Sequence, residues 1–339
     1  MEPNTKKTEG TCGINTPYDD VFRTLLNDCP DLIIPVINNT FGTNFVMGRD
    51  KVTQNNNEFF FTGEDGSQDR MISDSHLTIG GRHFHIECQS TSDGNMVVRM
   101  FEYDVQIAMR HAEKKRARYT VKFPQSAVLY LRSTRNTPDY MEICIQVPGD
   151  SCLYQVPVIK AKEFSAEELF EKKLYFLIPF HIFRYEAHFA EYEKDEARLS
   201  ELQQIFVGIR EQLENLGKGK KLNEYDGQTI LDMSKNVIQH IAANYARTSE
   251  RIGEVMGGKI LDYPAKEIRN MGRKEGRREG RREGRKEGIR IGEEKGRIQV
   301  YWNMLKLGFS QKDALAATGL TEQELSQAQT EEEDFSEEE

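Results

Sequence analysis

The spacing of apolar positions changes character several times along the chain. Thr16 followed by Pro17 reads as a helix N-cap with proline in the first turn. The residues after it place Val21, Phe22 and Leu25 on one side at helical spacing, and Cys29-Pro30 ends the helix. Residues 31–41 form a second apolar segment that Pro35 bends or splits. A loop is expected at 54–57. From Ser73 the pattern alternates, which predicts strands around a Gly80-Gly81 turn. Residues 95–119 then read as one long helix with a basic C-terminal half. The runs SAVLYLR (126–132) and MEICIQV (141–147) read as buried strands, with a further strand at 154–159. The order helix, helix, hairpin, helix, strand, strand predicts a mixed α/β domain. Helical patterns at 166–176, 191–216 and 226–256 make the second half mostly α.

These patterns divide the chain into an N-terminal segment expected to be disordered (1–15), an α/β domain (16–190), a helical extension (191–262), a repeat arm (263–297), a small helical unit (298–329) and an acidic tail (330–339). In the arm, glycine recurs every fourth residue from Gly272 to Gly296, with RKE, RRE, RRE and RKE between the first five. Four-residue spacing would gather the glycines into one stripe on a helix, with Arg and Glu as i,i+4 neighbours. Glycine in a helix costs about 1 kcal/mol relative to alanine. The arm is therefore a solvated linker or marginal helix, or else one partner of a close-packed helix pair. The unit after it has the outline of a helix-turn-helix, with Ser310 and Thr321 as caps, or of a helical pair for self-association.

Charge sharpens this picture. The 339 residues carry 46 basic and 55 acidic side chains, a net of −9. Residues 331–339 alone hold seven acids and no base, so the rest of the chain is close to neutral. No stretch approaches the ~18 apolar residues of a membrane span, and the first residues lack the apolar core of a secretory signal. Five cysteines, none at zinc-knuckle spacing, point to a reducing, cytoplasmic setting. No glycine loop of the P-loop or dinucleotide type occurs, so no nucleotide cofactor is expected.

The candidate chemistry lies in SDSHLTIGGRHFHIECQS, residues 73–90. With Gly80-Gly81 as a two-residue turn, Leu77 faces Phe84, His76 faces His85, and Asp74 faces Glu87. Leu77, Ile79, Phe84, Ile86 and Cys88 then share a core face. Asp74, His76, Thr78, His83, His85, Glu87 and Gln89 share a polar surface. Carboxylates directly opposed across strands repel. The conflict is relieved if the pair is solvated, if one acid is protonated, or if a divalent cation lies between them, for which Mg²⁺ is suited. The histidines offer a rival: His76, His83 and His85, with an acid, as a zinc or transition-metal site. The basic run from Arg110 through Lys114, Lys115, Arg116 and Arg118 to Lys122 is a solvated face or a grip on a phosphate backbone.

An acid on one strand followed by Glu-x-Gln on the next resembles the PD-(D/E)XK nucleases. More closely, DDVFRTLL (19–26), the Asp74 strand, IECQSTSDGNMVVRMFEYDVQIA (86–108), IPFHIFRYE (178–186) and the GRREG repeats resemble the Rpn family of recombination-promoting, transposase-like nucleases. The likeness runs over roughly residues 16–320. It implies a restriction-endonuclease-like α/β core, a mixed central sheet flanked by helices, followed by the α-rich C-terminal extension. It also implies a metal-dependent DNA endonuclease serving recombination or mobile-element transfer, with Mg²⁺ or Mn²⁺ as cofactor, DNA as partner and a possible homodimer. Asp74 and Glu87 would hold the metal, with Asp20 as an accessory ligand for which Asp19 competes. Gln89 would stand where the superfamily carries a catalytic lysine. Arg99 and Tyr103, one turn apart, would contact phosphate or brace the site, and Arg110, Lys114 and Lys115 would reach DNA. A neutral amide in place of a lysine implies a slower enzyme or one leaning harder on its metal. The alternative is a protein that keeps the fold and binds DNA or itself without cutting.

Overall fold

The computed structural model describes residues 17–62, 68–91, 94–257 and 296–320. The Thr16 and Thr321 caps, the N-terminal segment, nearly all of the glycine repeat and the acidic tail lie outside them. Residues 17–257 form one compact unit, and 296–320 belong to a second.

The chain opens with α1 (Pro17–Asp28), a short 3-10 turn and α2 (Ile34–Phe41), which ends at Gly42 in the left-handed region. The strands β1 (Thr53–Gln54), β2 (Glu58–Thr62), β3 (Gln68–Ile72), β4 (Leu77–Ile79) and β5 (Arg82–Thr91) follow. Next come α3 (Met96–Arg110), a hairpin of β6 (Glu113–Lys115) and β7 (Arg118–Thr120), then β8 (Gln125–Arg132), β9 (Tyr140–Val147) and β10 (Asp150–Lys160). The remainder is α4 (Ala166–Glu171), a buried 3-10 helix (Tyr175–Arg184), α5 (Phe189–Tyr192), α6 (Glu196–Lys218), α7 (Glu224–Ile241) and α8 (Ala246–Gly257). Six strands make a mixed sheet in the order β1-β4-β5-β8-β10-β9. The pairs β5–β8 and β8–β10 are parallel; the others are antiparallel.

Burial follows the alternation of side chains along strands. Leu77, Ile79, Phe84, Ile86 and Cys88 join the main core with Ala127, Leu129 and Leu131 of β8. Val128 and Tyr130 point the other way, onto Met96 and Met100 of α3. Helices thus cover both faces of the central strands, which is why β8 reads as an unbroken apolar run. The helices expected as an extension from residue 191 share the main core. Phe206, Ile209, Leu231 and Ile238 lie in one cluster with Phe22 and Leu25.

Three further expectations need correction. The run at 141–147, expected as a buried strand, is β9 at the sheet edge, where its residues are exposed or half-buried. The long helix of 95–119 ends at Arg110, and the basic run after it turns back as β6–β7, with Arg116 at φ 52. The face of β5 bearing His85 and Glu87 is not a polar surface. α3 lies over that side of the sheet, and both side chains are buried.

In the second unit, helix α9 (296–306) packs on α10 (Gln311–Thr318) through Tyr301, Ala314 and Leu320, with Trp302 partly buried beside them. Ser310 caps α10 as expected, accepting from the Asp313 amide. Among the described residues no helix is long and apolar enough to cross a membrane.

Candidate active site

The turn at Gly80-Gly81 has both glycines at positive φ, as a two-residue hairpin requires, and the ladder pairs Leu77 with Phe84, Thr78 with His83 and Ile79 with Arg82. This is the expected register, but the ladder stops at Leu77. His76–His85 and Asp74–Glu87 are not ladder pairs. Beyond that point the Ser75 hydroxyl takes over, bonding both the carbonyl and the amide of Ile86 (2.7 and 2.9 Å). A side chain here does the work of a backbone pair and lets residues 73–76 leave the strand without losing β5.

That departure still brings the two acids together. The Asp74 amide donates to Glu87 Oε1 (2.7 Å), and the Cys88 amide donates to Asp74 Oδ2 (3.0 Å). Asp74 is 8 % exposed and Glu87 2 %. Arg23, from α1, donates to Asp74 Oδ1 at 2.8 Å. Burial, and then the neighbouring Glu87, push the Asp74 carboxyl up to about 7, with Arg23 opposing. Asp20 is exposed on α1. Asp19, one turn before Arg23, is the helix acid whose charge reaches Arg23 and Cys88.

Glu87 also accepts from His85 Nε2 (2.9 Å), while His85 Nδ1 donates to Asp104 Oδ1 at 2.6 Å. The second oxygen of Asp104 accepts from the Tyr154 hydroxyl (2.6 Å). An ionised carboxylate only accepts, so an imidazole with a carboxylate at each nitrogen donates from both and is charged. Burial pulls His85 down, but Asp104 and Glu87 outweigh it and carry the ring up to about 10. The site is a buried relay from Arg23 to Tyr154: Arg23, Asp74, Glu87, His85, Asp104, Tyr154. The sequence reading missed Arg23, Asp104 and Tyr154, and gave His85 to the zinc alternative. Asp104 carried a signal: it sits among Met96, Met100, Tyr103, Ile107 and Ala108 on the buried stripe of α3, where an acid needs a partner.

Gln89 lies two residues beyond Glu87 on the same face of β5, half-buried, with no side-chain partner among the described residues. Tyr103 donates to the Ile72 carbonyl (3.3 Å) and is bonded to Arg99, which ties the two as a brace beside the acids. Arg110 is engaged with the carbonyls of Asn56 and Glu58 (3.2 and 2.5 Å). Lys114 and Lys115 are exposed on the basic hairpin.

A divalent ion would find hard oxygen donors in the carboxylate pair. Glu87 Oε2 takes no hydrogen bond from a described residue, and each Asp74 oxygen takes one. That donor set suits Mg²⁺ or Mn²⁺. The histidines gather differently from expectation. His85 has both nitrogens occupied by carboxylates, and His111, just after α3, takes its place beside His76 and His83. Burial, then the other histidines, push His76 down to about 4.

The fold and the site together define a mixed α/β domain built around a buried carboxylate–histidine relay. No protein-family model, curated protein or solved structure matches the chain.

Proposed function

We propose that this protein is a divalent-metal-dependent DNA endonuclease of the Rpn type, with a restriction-endonuclease-like core. The observation that carries the reading is the buried Asp74–Glu87 pair, in which the Asp74 amide bonds the Glu87 carboxylate and the Glu87 charge raises the Asp74 carboxyl; two acids near each other in the interior are costly, and raised carboxyl pKa values mark functional sites. The order antiparallel hairpin, helix, parallel strand around that pair also supports it.

Asp74 and Glu87 hold the ion. When bound, Mg²⁺ or Mn²⁺ lowers the pKa of a ligated water and neutralises charge on the scissile phosphate. His85 fixes Glu87 through Oε1 and leaves Oε2 for the ion. Gln89 orients the water or meets a phosphate oxygen with its amide dipole. The exposed hairpin of Lys114, Lys115 and Arg118 grips the DNA backbone. Cutting both strands takes two sites, which favours a homodimer.

A second reading, DNA binding without cleavage, is favoured by the two cations already in place: Arg23 on Asp74 and His85 on Glu87 do part of what a metal would do. Plasmid nicking with Mg²⁺, Mn²⁺ or EDTA separates the two. Metal-dependent nicking that falls at least about 100-fold in Glu87→Gln supports the nuclease, since even outer-shell changes at metal sites reach that size. No nicking by folded native protein at low salt leaves the binding reading. Equal nicking by both proteins removes Glu87 from the chemistry. On either reading, Lys114, Lys115 and Arg118 changed together to alanine should flatten the salt dependence of DNA binding by up to about 3 in log–log slope.

A further inference from the structure

We propose that His76, His83 and His111 bind one transition-metal ion of the zinc class, separate from the Asp74–Glu87 pair. The three come from different elements: the segment before β4, strand β5, and the residue after α3. One ring nitrogen from each lies within 4.8 Å of the others. Neighbouring ligands of a tetrahedral zinc with imidazole bonds stand ~3.3 Å apart. His76 Nε2 and His83 Nδ1 already stand 3.2 Å apart. The His83 and His111 rings stack at 4.2 Å between centroids, which sets their in-plane lone pairs side by side, so the exposed His111 turns its ring to complete the set.

The surroundings fit an ion of this kind. His76 Nδ1 faces the Asn56 carbonyl at 3.5 Å, the sort of outer contact that orients a ligating imidazole. Thr78 Oγ1, which accepts from Asn55, is hydrogen-bonded to His83 Nδ1 at 3.2 Å, a bond that an ion on that nitrogen would replace. The neighbouring guanidinium of Arg110 is turned onto the backbone oxygens of Asn56 and Glu58. Among the described residues no acid belongs to the group. Three neutral nitrogens select zinc, cobalt, nickel or copper, whereas the carboxylate pair selects magnesium or manganese. The cluster is buried at His76 and open at His111, which gives an ion a way in and leaves the fourth position to water. A bound ion would pin the end of α3, and the root of the basic hairpin, to the β4–β5 turn. α3 also carries Tyr103 and Asp104.

The test uses the untagged full-length chain, stripped with chelator and titrated with Zn²⁺ and then Co²⁺. Calorimetry, visible absorption and thermal unfolding are the readouts. The expected result is one ion per chain, the absorption of tetrahedral cobalt and a higher melting temperature. His111→Ala, a surface change that keeps the native circular dichroism, should weaken uptake at least about 100-fold. Folded Glu87→Gln should bind zinc as the native chain does. No uptake by the native chain, or unchanged uptake in His111→Ala, overturns the proposal and leaves a hydrogen-bonded, stacked histidine trio. Loss of zinc in folded Glu87→Gln also overturns it, by moving the ion to the carboxylates. Because the readout is metal uptake, it is independent of whether the protein cuts DNA.

Discussion

His85 and His76 are both buried, at 0 % and 3 % exposure, yet their surroundings favour a charged ring in one and a neutral ring in the other. Burial pushes each toward neutrality. His76 yields and falls to about 4, because its neighbours are a carbonyl and other imidazoles. His85 does not, because Asp104 and Glu87 sit at its two nitrogens and carry it to about 10. The carboxylates therefore decide the charge, and the same residue type becomes a fixed cation in one place and a neutral donor in the other. One niche holds an acid pair in place. The other is free to hold a metal.

The strongest way to break this comparison is Asp104→Ala. It leaves a charged ring and the Tyr154 hydroxyl without their partner in the interior. Stability should drop by about 3–5 kcal/mol in urea unfolding, the range for removing one member of a buried pair. A loss under about 1 kcal/mol would mean His85 is not held charged there.

The pH dependence of stability, measured in EDTA, sharpens it. The folded pKa of His85 lies above the unfolded value of 6.5, so its contribution is complete below that pH and is lost as pH rises toward about 10. Asp74 acts in the same direction between 3.8 and about 7, since ionising it in the interior is unfavourable. His76 is depressed, so its contribution is present above 6.5 and lost as pH falls toward about 4. Relative to native, His85→Gln should flatten the alkaline limb and His76→Gln the acid limb. Each group changes the slope by at most about 1.4 kcal/mol per pH unit. Identical profiles for the two variants would erase the difference between the niches.

The smallest effect belongs to Tyr154→Phe, which removes one hydrogen bond to Asp104 and should cost about 1 kcal/mol. A loss equal to that of Asp104→Ala would make Tyr154, not His85, the main partner of the acid.

The hairpin was legible because its turn chemistry is local: Gly80-Gly81 sets the register, and parity then assigns Leu77, Phe84, Ile86 and Cys88 to the core. That Asp74 and Glu87 would meet followed from the same count, although the ladder ends at Leu77 and Ser75 makes the junction instead. The rest of the relay depends on contacts far apart in sequence. Tyr154 reaches Asp104 only after β10 has joined the sheet beside β8, and Arg23 reaches Asp74 only through the packing of α1. Period alone also could not end α3 at Arg110, because a charged run suits a helix and a solvated hairpin equally well. His85 was misplaced for a related reason. It shares a strand face with His83, but α3 covers it and brings Asp104, whereas His83 stays half-exposed.

Whether Asp74 and Glu87 hold a divalent ion is tested most directly by Mn²⁺ binding followed by electron paramagnetic resonance. The account predicts one Mn²⁺ retained by the native chain and by His111→Ala, and lost in Glu87→Gln. Manganese that is never retained by the folded chain, or that stays in Glu87→Gln and disappears in His111→Ala, would contradict it.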